Sequence, residues 1–284
     1  MPLVSTGDIV GDAVARRRGC GAFNAIQLEH LTAIVAGAEA EAAPVIVQLS
    51  QNAVRYHGAL APIGGAALAV ARAAEVPVAV HLDHAESREL VREAVGLGFG
   101  SVMFDASTLD YEDNVRATRE VAAHCHDHGV WVEAELGEVG GKDGVHAPGA
   151  RTDPDEAAAF VAATGVDALA VAVGSSHAML TRDAALDFEL IAALHAAVPV
   201  PLVLHGSSGV PDAGLAGAVA AGMTKINIAT QLNKVFTAAA AGDWRAHPER
   251  VDPRRYLGAG RDAVALEVRR LLGVLRLGQA ETVR

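Results

Sequence analysis

Residues 78–84 have the sequence Val78-Ala79-Val80-His81-Leu82-Asp83-His84, a short apolar run that ends in an acid and a histidine. Similar runs recur along the chain at intervals of about 25–35 residues, and the segments between them have helical periodicity. Continuous Val, Ile and Ala is typical of parallel strands that are buried on both faces. We predict eight strands: Cys20–Ala25, Val45–Ser50, Val78–Asp83, Ser101–Asp105, Trp131–Leu136, Ala168–Val173, Leu202–His205 and Lys225–Ala229.

Eight strands that alternate with helices indicate an α/β protein of the (β/α)8 TIM barrel type. The alternative is a doubly wound open sheet, which usually carries a GxGxxG fingerprint after its first strand. Here the first strand ends in Phe23-Asn24-Ala25 instead. Because no low-complexity tract or composition shift interrupts the chain, we predict one barrel domain over residues 1–284, with a C-terminal helical extension at about 253–277.

The composition excludes several classes of protein. The chain has 284 residues, of which 51% are hydrophobic and 20% are charged, and its net charge is −11. This hydrophobic fraction excludes a disordered chain, and the negative charge disfavours a nucleic-acid or anionic-membrane partner. Two cysteines form neither a disulfide framework nor a CxxC zinc pattern. We expect no targeting or membrane-spanning segment and a cytoplasmic location.

Polar side chains stand at the C-terminal end of every predicted strand. In a barrel these ends form one face, where residues from different strands converge. A single buried polar residue needs no functional explanation, but eight strands with the same pattern favour a shared site, because burying unpaired polar groups is costly. The residues are Asn24, Ser50, Asp83, His84, Asp105, Glu135, Ser175, Ser176, His177, His205 and Asn227.

Three of these residues are histidines on separate strands, namely His84, His177 and His205. Three imidazoles with a fourth position open are typical of a catalytic zinc site. Asp105 and Glu135 are candidates either for acceptors that orient the imidazoles or for ligands of a second metal position.

Lysine is scarce in this chain, and its placement bears on the chemistry. Lys225 begins the eighth predicted strand, at the end away from the site, and Lys234 lies in the following helix. A Schiff-base mechanism is therefore disfavoured, and carbonyl chemistry is left to the metal. Glu133 shares a strand face with Glu135 but lies deeper, so we interpret it as a buried structural acid.

Three loops at the same face have functional patterns. Residues 137–144 are rich in glycine and predict a mobile lid that carries a catalytic group. Residues 205–209 and 227–230 follow the seventh and eighth strands, where such barrels often bind phosphate through backbone amides at a helix N-terminus.

Segments distributed along nearly the whole chain resemble the class II, zinc-dependent ketose-bisphosphate aldolases, and within them the tagatose-bisphosphate aldolase branch most. They include His81-Leu82-Asp83-His84, Val132-Glu133-Ala134-Glu135-Leu136-Gly137, Val203-Leu204-His205-Gly206 and Lys225-Ile226-Asn227-Ile228-Ala229-Thr230. The resemblance implies reversible cleavage of tagatose or fructose 1,6-bisphosphate to dihydroxyacetone phosphate and glyceraldehyde 3-phosphate. The expected cofactor is Zn²⁺, and a monovalent cation (Na⁺ or K⁺) is a further expected ion.

The resemblance also implies roles for individual residues. His84, His177 and His205 would hold the zinc, Asp83 would exchange a proton with the substrate's C4 oxygen, and Asp105 and Glu135 would hold the alternative metal position. Ser50 and Arg254 match positions that bind the far phosphate, with Arg254 from a neighbouring subunit, so we expect a homodimer or homotetramer. The remaining expected substrate contacts are Asn24, Ala178, Gly206, Ser207, Ser208, Asn227, Ala229 and Thr230.

The chain departs from the family pattern at several positions that bear on substrate choice. Ala178 stands where glycine is usual, Ser207 replaces a second glycine, and Ala229 lacks the acid found in many fructose-bisphosphate members. The lid has Lys142-Asp143 where that branch offers glutamates, which makes Asp143 the candidate catalytic base. The choice between tagatose and fructose stays open.

Adjacent Asp83 and His84 would face opposite sides of a regular strand, so both reach the site only if the strand ends there.

Three other functions remain open. The first is an aldolase for another phosphorylated ketose or keto-acid, such as a phosphorylated deoxyketogluconate. The second is a zinc hydrolase, although no His-x-His stands on the first strand. The third is a non-catalytic structural or regulatory barrel, which the presence of all three histidines and Asp83 disfavours.

Overall fold

Eight parallel strands close into a barrel in the order β1-β2-β3-β4-β5-β6-β7-β8 in the computed structural model, which describes residues 2–136, 151–177 and 179–276. The predicted fold class is therefore confirmed. The strands are β1 Cys20–Asn24, β2 Val45–Ser50, β3 Val78–Ala85, β4 Ser101–Phe104, β5 Trp131–Glu135, β6 Ala168–Ala170, β7 Leu202–Leu204 and β8 Met223–Ile228.

Helices surround the barrel and bury their apolar faces against the strands. Asp153 caps α7, and Pro154 occupies its first turn, where the missing amide hydrogen leaves no hydrogen bond unmade. A short 3-10 helix, Ser207–Gly209, follows β7. The α-helices are α1 Thr6–Ala15, α2 Leu28–Ala40, α3 Gln51–His57, α4 Leu60–Ala73, α5 Arg88–Leu97, α6 Tyr111–His126, α7 Pro154–Thr164, α8 Phe188–Ala197, α9 Asp212–Ala221, α10 Thr230–Ala246 and α11 Pro253–Arg276.

Helix α1 precedes the first strand and packs against the barrel end opposite the strand C-termini. Its Ile9 and Val10 are buried in a cluster with residues of β1, β2 and β3, including Ile46. Ser5 and Asp8 form a capping box at its start, a local helix signal that the strand pattern alone does not include. Helix α1 therefore closes the bottom of the barrel and leaves the other end open.

The strand ends differ from the predicted ones by up to three residues. Strand β6 is shorter than predicted and ends at Ala170, whereas β8 starts earlier, at Met223, where it pairs with Leu202. The register between β7 and β8 then shifts between Leu202 and Val203.

No helix in the described part of the chain is long and apolar enough to cross a lipid bilayer.

Candidate active site

The C-terminal strand ends open into one pocket with a volume of about 320 Å³. This is the face at which barrel enzymes carry their active sites. Most residues predicted for the site lie on its walls, and Gln51, Asn52, Arg55 and Glu86 join them from the segments after β2 and β3. The predicted residues on the walls are Asn24, Ser50, Asp83, His84, His177, His205, Gly206, Ser208, Asn227, Ala229 and Thr230.

The three predicted metal histidines, His84, His177 and His205, form a cluster in this pocket. One ring nitrogen of each lies within 4.8 Å of the others, and Nδ1 of His205 lies 3.0 Å from Nε2 of His84. Ring centroids are separated by 4.8–5.5 Å, and the rings are steeply inclined to one another. Imidazole nitrogens from three separate segments thus converge on one point, as a three-histidine metal site requires.

Asp83 and His84 both face the pocket although they are consecutive residues. Strand β3 does not end at Asp83, as we expected, but continues to Ala85. A register shift interrupts its pairing with β4 between Leu82 and Ala85, and His84 has a φ of +48°. The expected strand end is therefore wrong: a β-bulge with one left-handed residue turns both side chains to the same side.

Asp105 and Glu135 lie buried beside His84. Their positions fit both predicted roles, namely acceptors that orient the imidazole and ligands of a second metal position. Oδ2 of Asp105 is 2.7 Å from Nδ1 of His84, and ligand atoms of His84, Asp105 and Glu135 lie within 4.8 Å of one another. Burial alone would lower the pKa of His84, but Asp83, Asp105 and Glu135 outweigh it and raise that pKa to about 9. The same carboxylates therefore favour a cation at this point, whether it is a proton or a metal ion.

A chain of two side-chain hydrogen bonds, from Gln48 through Asn24, holds Asp83. Nδ2 of Asn24 donates to Oδ2 of Asp83 at 2.7 Å, and Nε2 of Gln48 donates to Oδ1 of Asn24 at 3.0 Å. Burial alone would raise the pKa of Asp83, but the histidines around it and Lys225 lower it below its usual value. The carboxylate is thus oriented and ionised at the pocket surface.

A buried ion pair supports His205 from below. Glu133 and Lys225 are both 0% exposed in their side chains, and Nζ of Lys225 lies 2.8 Å from Oε2 of Glu133. Oε1 of Glu133 lies 2.9 Å from Nε2 of His205, the ring nitrogen that faces away from the histidine cluster. Nζ of Lys225 also donates to Oδ1 of Asn227 at 2.8 Å. The pair fixes the ring orientation of a candidate metal ligand.

Sequence reasoning missed this function of Glu133 and Lys225. Each residue lies two positions before a predicted site residue on its strand, namely Glu135 and Asn227, and strand alternation therefore points it into the barrel. An acid and a base at the same buried level are expected to pair, since neither charge is stable alone there. Strand alternation thus predicts that both side chains point into the barrel. Only the closure of the barrel shows that β5 and β8 face each other across its interior, so that the two residues can pair.

The loop after β7 approaches the pocket as a tight turn. Gly206 has a φ of +66°, and a Cβ on it would lie 2.5 Å from the carbonyl group of Ser176. Glycine is therefore required here by both the backbone conformation and the available space. Ser207 is buried and its hydroxyl donates to the carbonyl of Leu204, so its side chain does not line the pocket.

The loops after β7 and β8 are joined by the Ser208 hydroxyl. It accepts hydrogen bonds from the backbone amides of Ala229 at 3.3 Å and Gln231 at 3.1 Å. Helix α10 begins at Thr230, so its N-terminus lies in the pocket wall together with the loop after β7. A helix N-terminus beside a Gly/Ser loop favours an anion at this wall.

Besides the buried Ser207, Asp105 and Glu135, three predicted residues do not appear among those that line the described pocket. Arg254 has 88% of its side chain exposed, pairs with Asp252 and does not line the pocket of its own chain. Asp143 and Ala178 lie outside the described residues. Within the described residues, the sequence interpretation did not include the pocket residues Gln51, Asn52, Arg55 and Glu86.

Comparison with known proteins supports the class that this geometry indicates. Residues 4–279 match the family model described as fructose-bisphosphate aldolase class-II. Fructose-bisphosphate aldolase of Geobacillus stearothermophilus is 39% identical over 272 residues, which cover 94% of this chain and 95% of that protein. Fructose-bisphosphate aldolase of Giardia intestinalis is 36% identical over 290 residues, with 93% and 90% covered. The crystal structure of the YdjI aldolase from Escherichia coli K12 matches with a TM-score of 0.83 and 34% identity, covering 98% of this chain and 100% of that one.

A closed parallel barrel with a three-histidine cluster beside a buried aspartate is the arrangement of a metal-dependent enzyme. The chain belongs to the class II fructose-bisphosphate aldolase family. It is a class II aldolase, and this family implies a divalent metal ion.

Proposed function

We propose that this chain reversibly cleaves fructose 1,6-bisphosphate to dihydroxyacetone phosphate and glyceraldehyde 3-phosphate with a zinc ion at His84, His177 and His205. The observation that carries the proposal is the convergence of these imidazoles with Asp83 in one pocket beside the helix α10 N-terminus. The curated relatives with fructose-bisphosphate aldolase names support the sugar.

The donor set fits zinc. A tetrahedral ion with Zn–N distances of about 2.0–2.1 Å separates its ligand nitrogens by about 3.3 Å. The 3.0 Å between the facing nitrogens of His84 and His205 is close to this spacing. Glu133 accepts from the other nitrogen of His205, which leaves Nδ1 as its ligand atom. When bound, the ion would polarise the substrate ketone and stabilise negative charge on its oxygen.

Asp83 moves the proton that accompanies cleavage. Its carboxylate accepts the proton of the C4 hydroxyl while the C3–C4 bond breaks, so C4 becomes the aldehyde of glyceraldehyde 3-phosphate. The electron pair of that bond stays on the dihydroxyacetone phosphate half, whose C3 then takes a proton from a second acid. The hydrogen bond from Asn24 holds the Asp83 carboxylate in place for this transfer. Asp143 stays the predicted second acid and lies outside the described residues.

The substrate phosphate next to the ketone binds at the wall formed by the loops after β7 and β8. Backbone amides of residues 206–208 and the start of helix α10 supply donors and a partial positive charge. Gly206, Ser208, Asn227, Ala229 and Thr230 line this wall, which supports their predicted contacts. The monovalent cation, the homodimer or homotetramer with Arg254 reaching a neighbouring site, and the cytoplasmic location remain predictions.

We assign fructose 1,6-bisphosphate as the substrate because the curated relatives that this chain resembles are named fructose-bisphosphate aldolases. None of these relatives specifically supports the tagatose branch. Tagatose 1,6-bisphosphate, which differs from the fructose compound at C4, is the competing substrate. An aldolase for another phosphorylated ketose or keto-acid remains the alternative function, whereas membership of the class II aldolase family argues against the zinc hydrolase and the non-catalytic subunit. The products separate them, since only an aldolase of a ketose bisphosphate releases both triose phosphates.

The test measures triose-phosphate release from both hexose bisphosphates, with and without a chelator. We expect chelator-sensitive cleavage with a higher kcat/KM for fructose 1,6-bisphosphate. An Asp83→Asn variant with unchanged zinc content should lose about 10²- to 10⁴-fold in kcat, since the carboxylate that moves the proton is removed. If zinc-loaded, folded protein cleaves neither sugar, the proposed function is wrong. A higher kcat/KM for the tagatose substrate would reassign the sugar.

A further inference from the structure

The end of helix α6 carries two histidines one helical turn apart, and neither lines the pocket. His124 lies in the last turn of α6, and His128 follows four residues later in the turn that leads to β5. Their ring centroids are 4.7 Å apart. This separation is close to the 4.8–5.5 Å between the rings of the histidine cluster in the pocket. Two imidazoles at this spacing can bind the same ion.

A hydrogen bond leaves one ring nitrogen of His128 available to a metal ion. Its Nδ1 lies 2.8 Å from the backbone carbonyl oxygen of His124. Because a carbonyl oxygen only accepts, Nδ1 carries the proton and Nε2 keeps its lone pair. Histidines that bind metals typically donate their other ring nitrogen in this way to a backbone carbonyl or a carboxylate. His128 is therefore held in the tautomer that a metal ligand needs, and it is exposed to solvent.

His124 contributes a ring nitrogen that the fold does not satisfy. Its Nε2 is buried, and no hydrogen-bond partner for it lies among the described residues. Leaving a buried polar atom unpaired costs free energy. The hydrogen bond from His128 explains how helix α6 ends, but it uses the backbone of His124 and leaves the ring nitrogen unpaired. An ion held between the two rings would satisfy that nitrogen.

The surroundings of the pair favour a cation. The C-terminal end of a helix carries the negative end of its dipole, and α6 ends at His126. Asp127 is exposed between the two histidines, and the net charge of the chain is −11. His126 does not join the pair, because its Nε2 already lies 2.9 Å from Oδ2 of Asp167.

The ligand set indicates which ions fit. Within the described ranges, no third histidine, cysteine or carboxylate completes a three-residue group with His124 and His128. Water would therefore occupy the remaining positions. Imidazole nitrogens suit Zn²⁺, Ni²⁺ and Cu²⁺, whereas Mg²⁺ and Ca²⁺ require oxygen ligands.

The pair lies at the opposite end of the barrel from the pocket. Strand β5 begins at Trp131, three residues after His128, whereas the pocket opens at the C-terminal strand ends. The length of β5, about 13 Å at about 3.3 Å per residue, separates the two ends. An ion at this pair would thus share no ligand with the histidine cluster of the pocket.

We infer that His124 and His128 together bind one divalent transition-metal ion, namely Zn²⁺, Ni²⁺ or Cu²⁺, independently of the catalytic metal. The bound ion connects the last turn of α6 to the turn before β5. Because the two ligands are held together only in the folded chain, the ion also stabilises that chain.

The test measures Ni²⁺ binding by titration calorimetry on protein that is preloaded with zinc, so that the histidine cluster of the pocket is occupied. We expect one Ni²⁺ per chain with the zinc content unchanged. His124→Gln and His128→Gln should each weaken binding at least about tenfold, a loss that occurs even when a group that only orients a metal ligand is removed. Added Ni²⁺ should raise the melting temperature of the wild-type protein more than that of either variant.

His126→Gln is the matched control. His126 lies between the two histidines in the sequence and is also exposed, but its ring is directed to Asp167. This variant should keep the wild-type affinity for Ni²⁺. Melting temperatures without Ni²⁺ show which variants are folded, and one folded variant of the pair is sufficient for the test. The inference is overturned if the zinc-loaded wild-type protein binds no Ni²⁺, if a folded variant of the pair keeps the wild-type affinity, or if His126→Gln loses as much affinity as they do.

Discussion

Replacing Lys225 by methionine removes one half of a fully buried ion pair. The Lys225 side chain is 0% exposed, and its Nζ contacts Oε2 of Glu133 and Oδ1 of Asn227, both at 2.8 Å. Methionine has a similar length and no charge, so the change leaves little cavity and isolates the electrostatic effect. The carboxylate of Glu133 then keeps its contact with His205 but loses the ammonium that compensates its charge.

Loss of one partner of a buried ion pair typically costs about 3–5 kcal/mol in the free energy of unfolding. The melting temperature of a chain of this size falls by about 2–4 °C per kcal/mol, so we expect a decrease on the order of 6–20 °C. The double variant Lys225→Met/Glu133→Gln should be more stable than Lys225→Met alone. In it no uncompensated charge is buried, and glutamine still offers an oxygen to His205.

The destabilisation should depend on pH. Burial alone would raise the pKa of Glu133, but Lys225 and the hydrogen bond from His205 hold it well below its usual range. Because this pKa is lower in the folded chain, the pair contributes stability that is fully present above the unfolded pKa of about 4.3 and is lost as the pH falls through the folded pKa. Without Lys225 the folded pKa rises. The variant should therefore be closer to wild type at pH 5 than at pH 8.

Urea denaturation of metal-free proteins at both pH values measures these differences without a contribution from metal binding. Lys234→Met is the matched control, since Lys234 is exposed on α10 and its loss should change the free energy of unfolding by at most about 0.5 kcal/mol. The reasoning is refuted if Lys225→Met costs less than about 1 kcal/mol at pH 8. It is also refuted if the double variant is as unstable as the sum of the two single variants.

Three further predictions concern close packing and buried thiols. Gly206→Ala should lower kcat/KM at least about tenfold, because its Cβ would lie 2.5 Å from the Ser176 carbonyl in the phosphate-binding turn. Gly37→Ala should cost about 1–3 kcal/mol in urea denaturation, because its Cβ would lie 2.5 Å from a backbone oxygen of α11. Burial raises the pKa of Cys20 to about 12 and that of Cys125 to about 11, so at pH 8 a disulfide reagent should label them only after unfolding.

Each of these three predictions would be contradicted by a specific measurement. Gly65→Ala is the control for Gly37→Ala, since a Cβ on Gly65 of α4 meets no atom within 4 Å and alanine favours helices. Equal stability of the two variants would contradict the close approach of α2 and α11. Full activity of Gly206→Ala, or rapid labelling of both thiols in the folded protein, would contradict the corresponding packing arguments.

The strand pattern was predictable because it is local. Strands buried on both faces require consecutive apolar residues, and each run is visible without knowledge of its neighbours. Parallel strands also carry the residues that follow them to one face, which made the convergence of the three histidines predictable. Strand β6 ends at Ala170, however, so the segment after it, and not the strand, brings His177 to the pocket. The metal ligands His84, His177 and His205 are therefore proposed from the sequence, and the structure brings them within 4.8 Å.

Other features depend on contacts between distant segments. The bulge that turns His84 beside Asp83 arises from the pairing of β3 with β4, which no pattern within β3 reveals. The Glu133–Lys225 pair joins strands β5 and β8 across the barrel interior, and Arg55 reaches the pocket because Gln51 and Glu86 hold its surroundings. Hydrophobic periodicity encodes which face of an element is buried, whereas the partners of a buried charge are set by the closure of the barrel.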